Sequence, residues 1–253
     1  MGQVISVVSG KGGTGKTSFC AGVAVALCAL GEKVLLIDAD CGIRSLDIVL
    51  GMSDSLLFSY GDVIRKRCSL KEAAVKHPIV KNLRVLTSPV SIKDGLGFTF
   101  DEIGSLLKRA GEHFTYVLID CPAGFGGEIM NFALQSDMAV VISTPDHTSL
   151  RGAQKIGAQM AEGGLENIKI AVNRVRAGMI NSGDSVDIDA AMDASNLSLL
   201  GVIPEDKDVI ACGNLGRVLV LFSHGYARVA YANIARRLRG ARVRLLSGVK
   251  LRR

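Results

Sequence analysis

Val4-Ile5-Ser6-Val7-Val8-Ser9 runs directly into Gly10-Lys11-Gly12-Gly13-Thr14-Gly15-Lys16-Thr17-Ser18. An apolar run of strand length, a glycine-rich loop and then a helical pattern decide the fold class of this chain. The loop fits G-x-x-x-x-G-K-[ST], placed between strand and helix as its mechanism requires. The glycines let backbone N–H groups turn inward around phosphate oxygens. A helix predicted over 16–30 adds its positive end. Lys16 is placed to reach the β- and γ-phosphates of a nucleotide, and the Thr17 hydroxyl to ligate Mg²⁺. The candidate nucleotide-contacting residues of the loop are Gly10, Lys11, Gly12, Gly13, Thr14, Gly15, Lys16, Thr17 and Ser18.

Outward from the loop, short apolar runs alternate with longer helical patterns. Residues 33–38, 83–88, 116–120, 138–144, 168–173 and 199–203 read as strands, like 4–9. Most are nearly continuous apolar runs, which suit strands buried on both faces of a parallel sheet. Helices are predicted over 16–30, 57–67, 99–113, 127–136, 147–163, 185–195 and 224–239, and irregular chain over 40–56, 89–98, 121–127, 175–184 and 205–217. The alternation predicts an α/β fold: a doubly wound, mostly parallel sheet flanked by helices. No linker, repeat or low-complexity segment divides it.

Composition narrows the function classes. The 253 residues suffice for one large α/β domain. Trp is absent and aromatics make up 5%, which argues against stacking platforms for single-stranded nucleic acid. The six cysteines include no C-x-x-C, so an ordinary zinc ribbon or thioredoxin motif is excluded, and a reduced cytosolic setting is the simpler reading. No 18-residue apolar run is present to span a membrane.

Two further stretches carry chemistry. Leu35-Leu36-Ile37-Asp38-Ala39-Asp40 puts two carboxylates at the end of a buried strand, where ligands of open parallel sheets sit. Asp40 is the candidate for orienting an attacking water, and Asp38 for a supporting role near the metal. Val117-Leu118-Ile119-Asp120-Cys121-Pro122-Ala123-Gly124 repeats the pattern, and Asp120 suits a Walker B role, holding Mg²⁺ through water.

With Lys11 near its start, K-G-G-T-G-K-T resembles the loop of the deviant Walker A (MinD–ParA) family of P-loop NTPases. Asp38–Gly51 as D-A-D-C-G-I-R-S-L-D-I-V-L-G, Asp120–Gly124 as D-C-P-A-G and Gly201–Asp206 as G-V-I-P-E-D narrow the likeness to the MinD branch, over nearly the whole chain. The resemblance implies an ATPase with ATP/ADP and Mg²⁺ as ligands, forming a homodimer with ATP. Lys11 would reach the partner's nucleotide and join Lys16 and Asp40 as the catalytic set. Thr17, Asp38 and Asp120 would serve the metal. Asn173, Arg174, Pro204, Glu205 and Asp206 fall at the family's adenine-contacting segments, and Asp146 at an acidic position near the ribose. The implied partners are a MinC-type division inhibitor, a MinE-type activator and an anionic membrane surface on the cytoplasmic side, in service of septum placement. A partition ATPase holding DNA and a flagellar or polar positioning ATPase remain as alternatives. Two positions depart from the branch. Ser45 stands where it often has Asn, and Gly152 where the best-known members have Asp, in a region linked to partners.

The net charge of +6 is uneven. After Asp208 there are ten Arg or Lys and no acid, so the rest of the chain is net acidic. Such an end suits DNA, an anionic membrane or plain solvation. Residues 1–239 read as the ATPase domain and 240–253 as a basic, weakly amphipathic tail. Leu238, Ala241, Leu245 and Val249 follow helical spacing, while Gly240 and Gly248 each weaken a helix by ~1 kcal/mol. By resemblance the tail is a candidate membrane-targeting segment.

Overall fold

The computed structural model describes residues 1–41, 43–53, 55, 57–91 and 97–245. Its strands are β1 (Gln3–Ser9), β2 (Val34–Asp38), β3 (Val75–Lys76), β4 (Leu83–Leu86), β5 (Tyr116–Ala123), β6 (Met138–Ser143), β7 (Ile168–Val175) and β8 (Ser198–Pro204). They form one sheet in the order β3-β4-β2-β5-β1-β6-β7-β8. Every pairing is parallel except that of β3 with β4. From β1 the chain first builds outward to β4, then returns through β5 and builds the other way to β8. This is the doubly wound pattern whose strand-end crevices take ligands.

The helices are α1 (Lys16–Ala29), α2 (Leu46–Leu50), α3 (Tyr60–Ile64), α4 (Leu70–Ala73), α5 (Phe100–His113) and α6 (Gly127–Ala133), followed by α7 (His147–Glu162), α8 (Ala177–Ser182), α9 (Ile188–Ser195), α10 (Lys207–Asn214), α11 (Leu219–Phe222) and α12 (Tyr226–Leu238). Local chemistry sets many of the starts. Ser59 with Asp62, Ser69 with Glu72 and Thr99 with Glu102 form reciprocal capping boxes, and Asp146, Asp187 and Asp206 cap α7, α9 and α10.

The sheet divides the core into two apolar layers. One, around Ile103, Leu106, Phe132, Leu150 and Ile156, lies under α5, α6 and α7. The other, around Phe19, Val23, Leu27, Tyr231 and Ile234, lies under α1 and α12. α1 is buried continuously from Phe19 to Cys28, since α12 covers the side that the sheet leaves open.

The predicted strands and the other long helices are present, but the helix expected over 57–67 shortens to α3 (Tyr60–Ile64), and several further stretches differ from expectation. α2 lies within 40–56, α8 within 175–184 and α10 within 205–217, all read as irregular. These helices of five to eight residues are too short for periodicity to declare them. β5 runs on through Cys121-Pro122-Ala123, because Ser9 of β1 still pairs with Ala123 there. β3, with two residues, gave no signal.

The start of the tail is fastened to the domain. Arg237 donates from Nη1 to the Leu200 carbonyl at 3.0 Å on edge strand β8, and from Nη2 to the Val243 carbonyl at 2.8 Å. Leu238 packs in the α1 layer and Leu245 in the opposite one, so the segment between them passes around the sheet edge. Covering an edge strand in this way blocks pairing with other chains. Residues 246–253, with Val249 of the helical spacing and Gly248, lie outside the described residues.

Candidate nucleotide site

The loop after β1 has the conformation that its glycines allow. Gly13 and Gly15 take positive φ of 76° and 97°, and Gly15 is the N-cap of α1. A Cβ on Gly15 would lie 2.3 Å from Nδ2 of Asn173, and one on Gly10 would lie 2.4 Å from the Gly152 carbonyl oxygen. Backbone and side chains therefore close on the loop from β7 and α7. Gly152, the departure seen in the sequence, is where α7 abuts the loop.

Lys16 Nζ donates to Ser9 Oγ at 3.0 Å, and Ser9 Oγ donates to the Lys11 carbonyl at 2.7 Å. Ser9 was not among the residues singled out from the sequence, although it stands inside the deciding stretch. The Thr17 and Ser45 hydroxyls lie 3.1 Å apart, linking the loop to the first acidic segment.

The register of β2 on β5 sets Asp38 directly beside Asp120. They are 1% and 2% exposed. Asp38 Oδ1 accepts from the Asp40 amide at 2.9 Å and Oδ2 from the Leu46 amide at 3.2 Å. Burial pushes its carboxyl up to about 6, against those two amides. Asp120 is pushed up to about 7, first by burial and then by the charge of Asp38, with the Thr17 hydroxyl and the Lys16 ammonium opposing. Asp120 Oδ1 is buried and has no hydrogen-bond partner among the described residues. Two neighbouring carboxyls pushed toward neutrality by burial, one with an orphaned oxygen, fit a divalent cation. Among the described residues no group of three His, Cys, Asp or Glu forms a complete metal cage. A cation held here would draw its other ligands from phosphate and water, as Mg²⁺ does.

Asp40 stands just beyond β2. Its carbonyl accepts from Ser88 Oγ at 3.1 Å and its Oδ1 from the Ile43 amide at 3.3 Å. Cys41 and Cys121 adjoin the two acidic positions, and all six cysteines are unpaired thiols.

Lys11 lies 3.8 Å from Asp146 Oδ1 of its own chain, both side chains being about half exposed. Burial works against the charge on Asp146, but hydrogen bonds from Thr144 Oγ1 and the Ser149 amide, with Lys11 nearby, hold its carboxyl below the ordinary value.

The predicted adenine-contacting residues lie in the last part of β7 and at the end of β8 and just after it, and only Asn173 among them is shown to touch the phosphate loop. Asn173 is buried, and its Nδ2 donates to the Thr14 carbonyl at 2.7 Å, so it braces the phosphate loop. Arg174 is exposed with a left-handed φ of 56°. Pro204 closes β8, and Glu205 pairs with Arg176. The Asp206 carboxylate accepts from the Asp208 amide at 3.0 Å and the Ala227 amide at 3.1 Å, joining the starts of α10 and α12.

The family described as AAA domain matches residues 2–172. The septum site-determining protein MinD of Bacillus subtilis (strain 168) is 35% identical over 246 residues, spanning 97% of this chain and 92% of that protein. The MinD chain of the MinC:MinD cell division protein complex of Aquifex aeolicus superposes with a TM-score of 0.90 at 29% identity, over 96% of this chain and 98% of that one. MinD of Pyrococcus horikoshii OT3, solved with Mg-ADP, superposes with a TM-score of 0.84 at 29% identity, over 94% and 96% of the two chains.

Proposed function

The chain belongs to the MinD family of P-loop ATPases, and on that premise we propose that it hydrolyses ATP in a nucleotide-joined homodimer that positions a MinC-type inhibitor for septum-site determination. The observation that carries the ATPase reading is the Asp38–Asp120 register pair beside the loop, with Asp120 Oδ1 unpartnered among the described residues. The Mg-ADP and MinC:MinD structures of relatives supply the ligand and partner classes.

In this reading Lys16 leaves Ser9 for the β- and γ-phosphates, and the loop amides hold their oxygens. Thr17 would ligate Mg²⁺, with Asp38 and Asp120 holding its waters. The cation supplies positive charge to the phosphates as charge develops there. Asp40 orients the attacking water. Lys11 reaches into the partner's site, acting in trans as an arginine finger does. Its pairing with Asp146 is half exposed, and such pairs contribute only ~0–1 kcal/mol, so dimerisation can break it at little cost. In the dimer Asp146 then faces the ribose of the partner's nucleotide, and Arg174 and Pro204–Asp206 line the adenine.

Two basic, weakly amphipathic tails presented together raise surface affinity through effective concentration. Arg237 and Arg239 contribute less than their charge suggests, because Arg237 is spent on carbonyls and Arg239 Nε pairs with Glu32 at 2.9 Å. Membrane contact is thus assigned to the chain beyond Leu245. Among the described residues no helix is long and apolar enough to cross a membrane.

Lys16→Ala is expected to abolish nucleotide binding. Asp40→Ala is expected to bind ATP, stop hydrolysis and accumulate as a dimer in light scattering, and adding Lys11→Ala to return that dimer to monomer. Normal turnover by the Asp40 variant would remove it from the catalytic set. Co-sedimentation with anionic vesicles and with duplex DNA, each with ATP or ADP, separates the membrane reading from the partition one. ATP-dependent pelleting with DNA alone would overturn the former.

A further inference from the structure

A groove of about 620 Å³ opens beside α4, between the loop that joins β3 to β4 and the residues just before β2 and β5. It lies where the parallel strands begin, whereas Ser9, Asp38 and Asp120 stand toward their far ends. Leu70, Ile79, Val80, Leu83 and Phe114 give it apolar walls, and Ile79 is 63% exposed. The loop is held in shape by the buried His77. Its Nδ1 accepts from the Ile79 and Val80 amides, and its Nε2 donates to the Leu50 carbonyl at 3.2 Å.

Five cations border the same groove: Lys33, Lys71, Lys76, Lys81 and Arg84. No Asp or Glu lines it, and among the described residues no carboxylate is in ion-pair contact with any of the five. The Arg84 guanidinium donates to the Ala74 carbonyl at 2.6 Å, a neutral acceptor that leaves its charge unmatched. Acids close by in the chain are spent elsewhere, Glu32 on Arg239 and Glu72 on Ser69 at the start of α4. Water answers neither feature, since it gains nothing from aliphatic walls and brings no charge to the cations. A small inorganic anion would meet the charge and leave the walls wet. A molecule with an aliphatic body and an acidic end meets both, and the volume lies within the ~300–1,000 Å³ of small-molecule sites. His77 already uses both ring nitrogens, so the groove has few groups left to read further polar features of a ligand.

We propose that this groove binds a free single-chain anionic amphiphile, an aliphatic carboxylate being the representative. The chain lies along Leu70, Ile79, Val80 and Leu83, and the acid meets the lysines and Arg84. The site is separate from the nucleotide crevice, at the opposite end of the strands.

Calorimetric titration of the full-length chain with laurate, kept below its micelle concentration, tests the assignment. One laurate per chain is expected, with a Kd of about 10 µM. Acetate and hexaglutamate, which carry acid without an aliphatic chain, and dodecyltrimethylammonium, which carries the chain with the opposite charge, should each bind at least tenfold more weakly. Ile79→Glu, and Lys71→Ala combined with Lys76→Ala, should each weaken laurate at least tenfold. These three side chains are exposed, so the fold does not depend on them. Ile210→Glu, at a position of α10 that is 65% exposed, and saturation with Mg-ADP should each leave laurate within about twofold. Pelleting with phosphatidylglycerol vesicles in ATP should be the same for wild type and Ile79→Glu. Several laurates per chain, hexaglutamate binding as well as laurate, groove variants binding like wild type, or displacement by Mg-ADP overturns the proposal. Loss of vesicle pelleting in Ile79→Glu would place a bilayer lipid in the groove and overturn the free acid as its ligand.

Discussion

β2 and β5 end alike in the sequence, each an apolar run closed by an aspartate, yet their two carboxylates meet different surroundings. Asp38 has an amide on each oxygen, and so organises the backbone that turns from β2 toward α2. Asp120 has the Thr17 hydroxyl on one side and, among the described residues, nothing on Oδ1, in a place with almost no solvent. Nearly equal burial thus leaves one carboxylate committed to two backbone amides and the other with one oxygen open, and under the proposed function the open oxygen is the stronger support for the cation. Hydrogen-bond supply, more than burial, separates the two roles.

The largest effect that would break this comparison is on metal dependence. Asp120→Asn is expected to weaken Mg²⁺-dependent ATP binding by about 100-fold, and Asp38→Asn by about tenfold, because only the former removes the uncommitted oxygen. Fluorescent-ATP titrations at several Mg²⁺ concentrations measure both. Equal losses would show that the two carboxylates support the cation equally, whatever their hydrogen bonds.

Stability without nucleotide is next in size and should set the two variants apart. At neutral pH, Asp120→Asn removes a buried charge lacking full compensation and should raise unfolding free energy by about 2 kcal/mol. Asp38→Asn gains nothing, because its new NH₂ faces an amide donor. Urea unfolding of the three proteins decides it.

The pH dependence has a definite sign. The folded carboxyls titrate near 6 and 7, above the ordinary 3.8, so the folded state holds more protons than the unfolded between those limits. Stability of the nucleotide-free protein from these groups is therefore greatest below about pH 4 and falls as pH rises to about 7. Asp120→Asn should flatten most of that slope, and an unchanged slope would place the source elsewhere. His77 acts the other way and more weakly. Burial lowers its pKa, and its Nδ1 accepts from the Ile79 and Val80 amides at 3.1 and 3.0 Å, which a proton would prevent. Below about pH 6.5 the unfolded chain takes the proton more readily, so acidification costs stability there. His77→Gln should remove that component from the acid limb of the unfolding curve.

Much of the site is legible in the sequence because its parts are contiguous. Residues 4–18 hold a strand, a loop and a helix start in one stretch, and each element satisfies its own backbone needs locally. The contributions of Ser88 and Asn173 are not legible in that way. Ser88 supports the Asp40 carbonyl from 48 residues away, and Asn173 reaches the Thr14 carbonyl from 159 away. A polar residue after a strand gives no sign of which distant carbonyl it will meet. Leu245 fits the apolar spacing of the tail equally well, but the sheet edge claims it.

The sequence by itself determined the strand–loop–helix unit, the alternation that builds a parallel sheet, and the aspartates at strand ends. These rest on periodicity and on glycine conformations, which neighbouring residues dictate. Only the tertiary structure decided that β5 inserts between β2 and β1, with a register that places Asp38 against Asp120 and leaves Oδ1 without a donor among the described residues. Parallel strands joined through helices carry no local signal of register, because their hydrogen bonds run between segments far apart in the chain. Protonation and cation readiness depend on that distance and on desolvation, which exist only once the layers have closed.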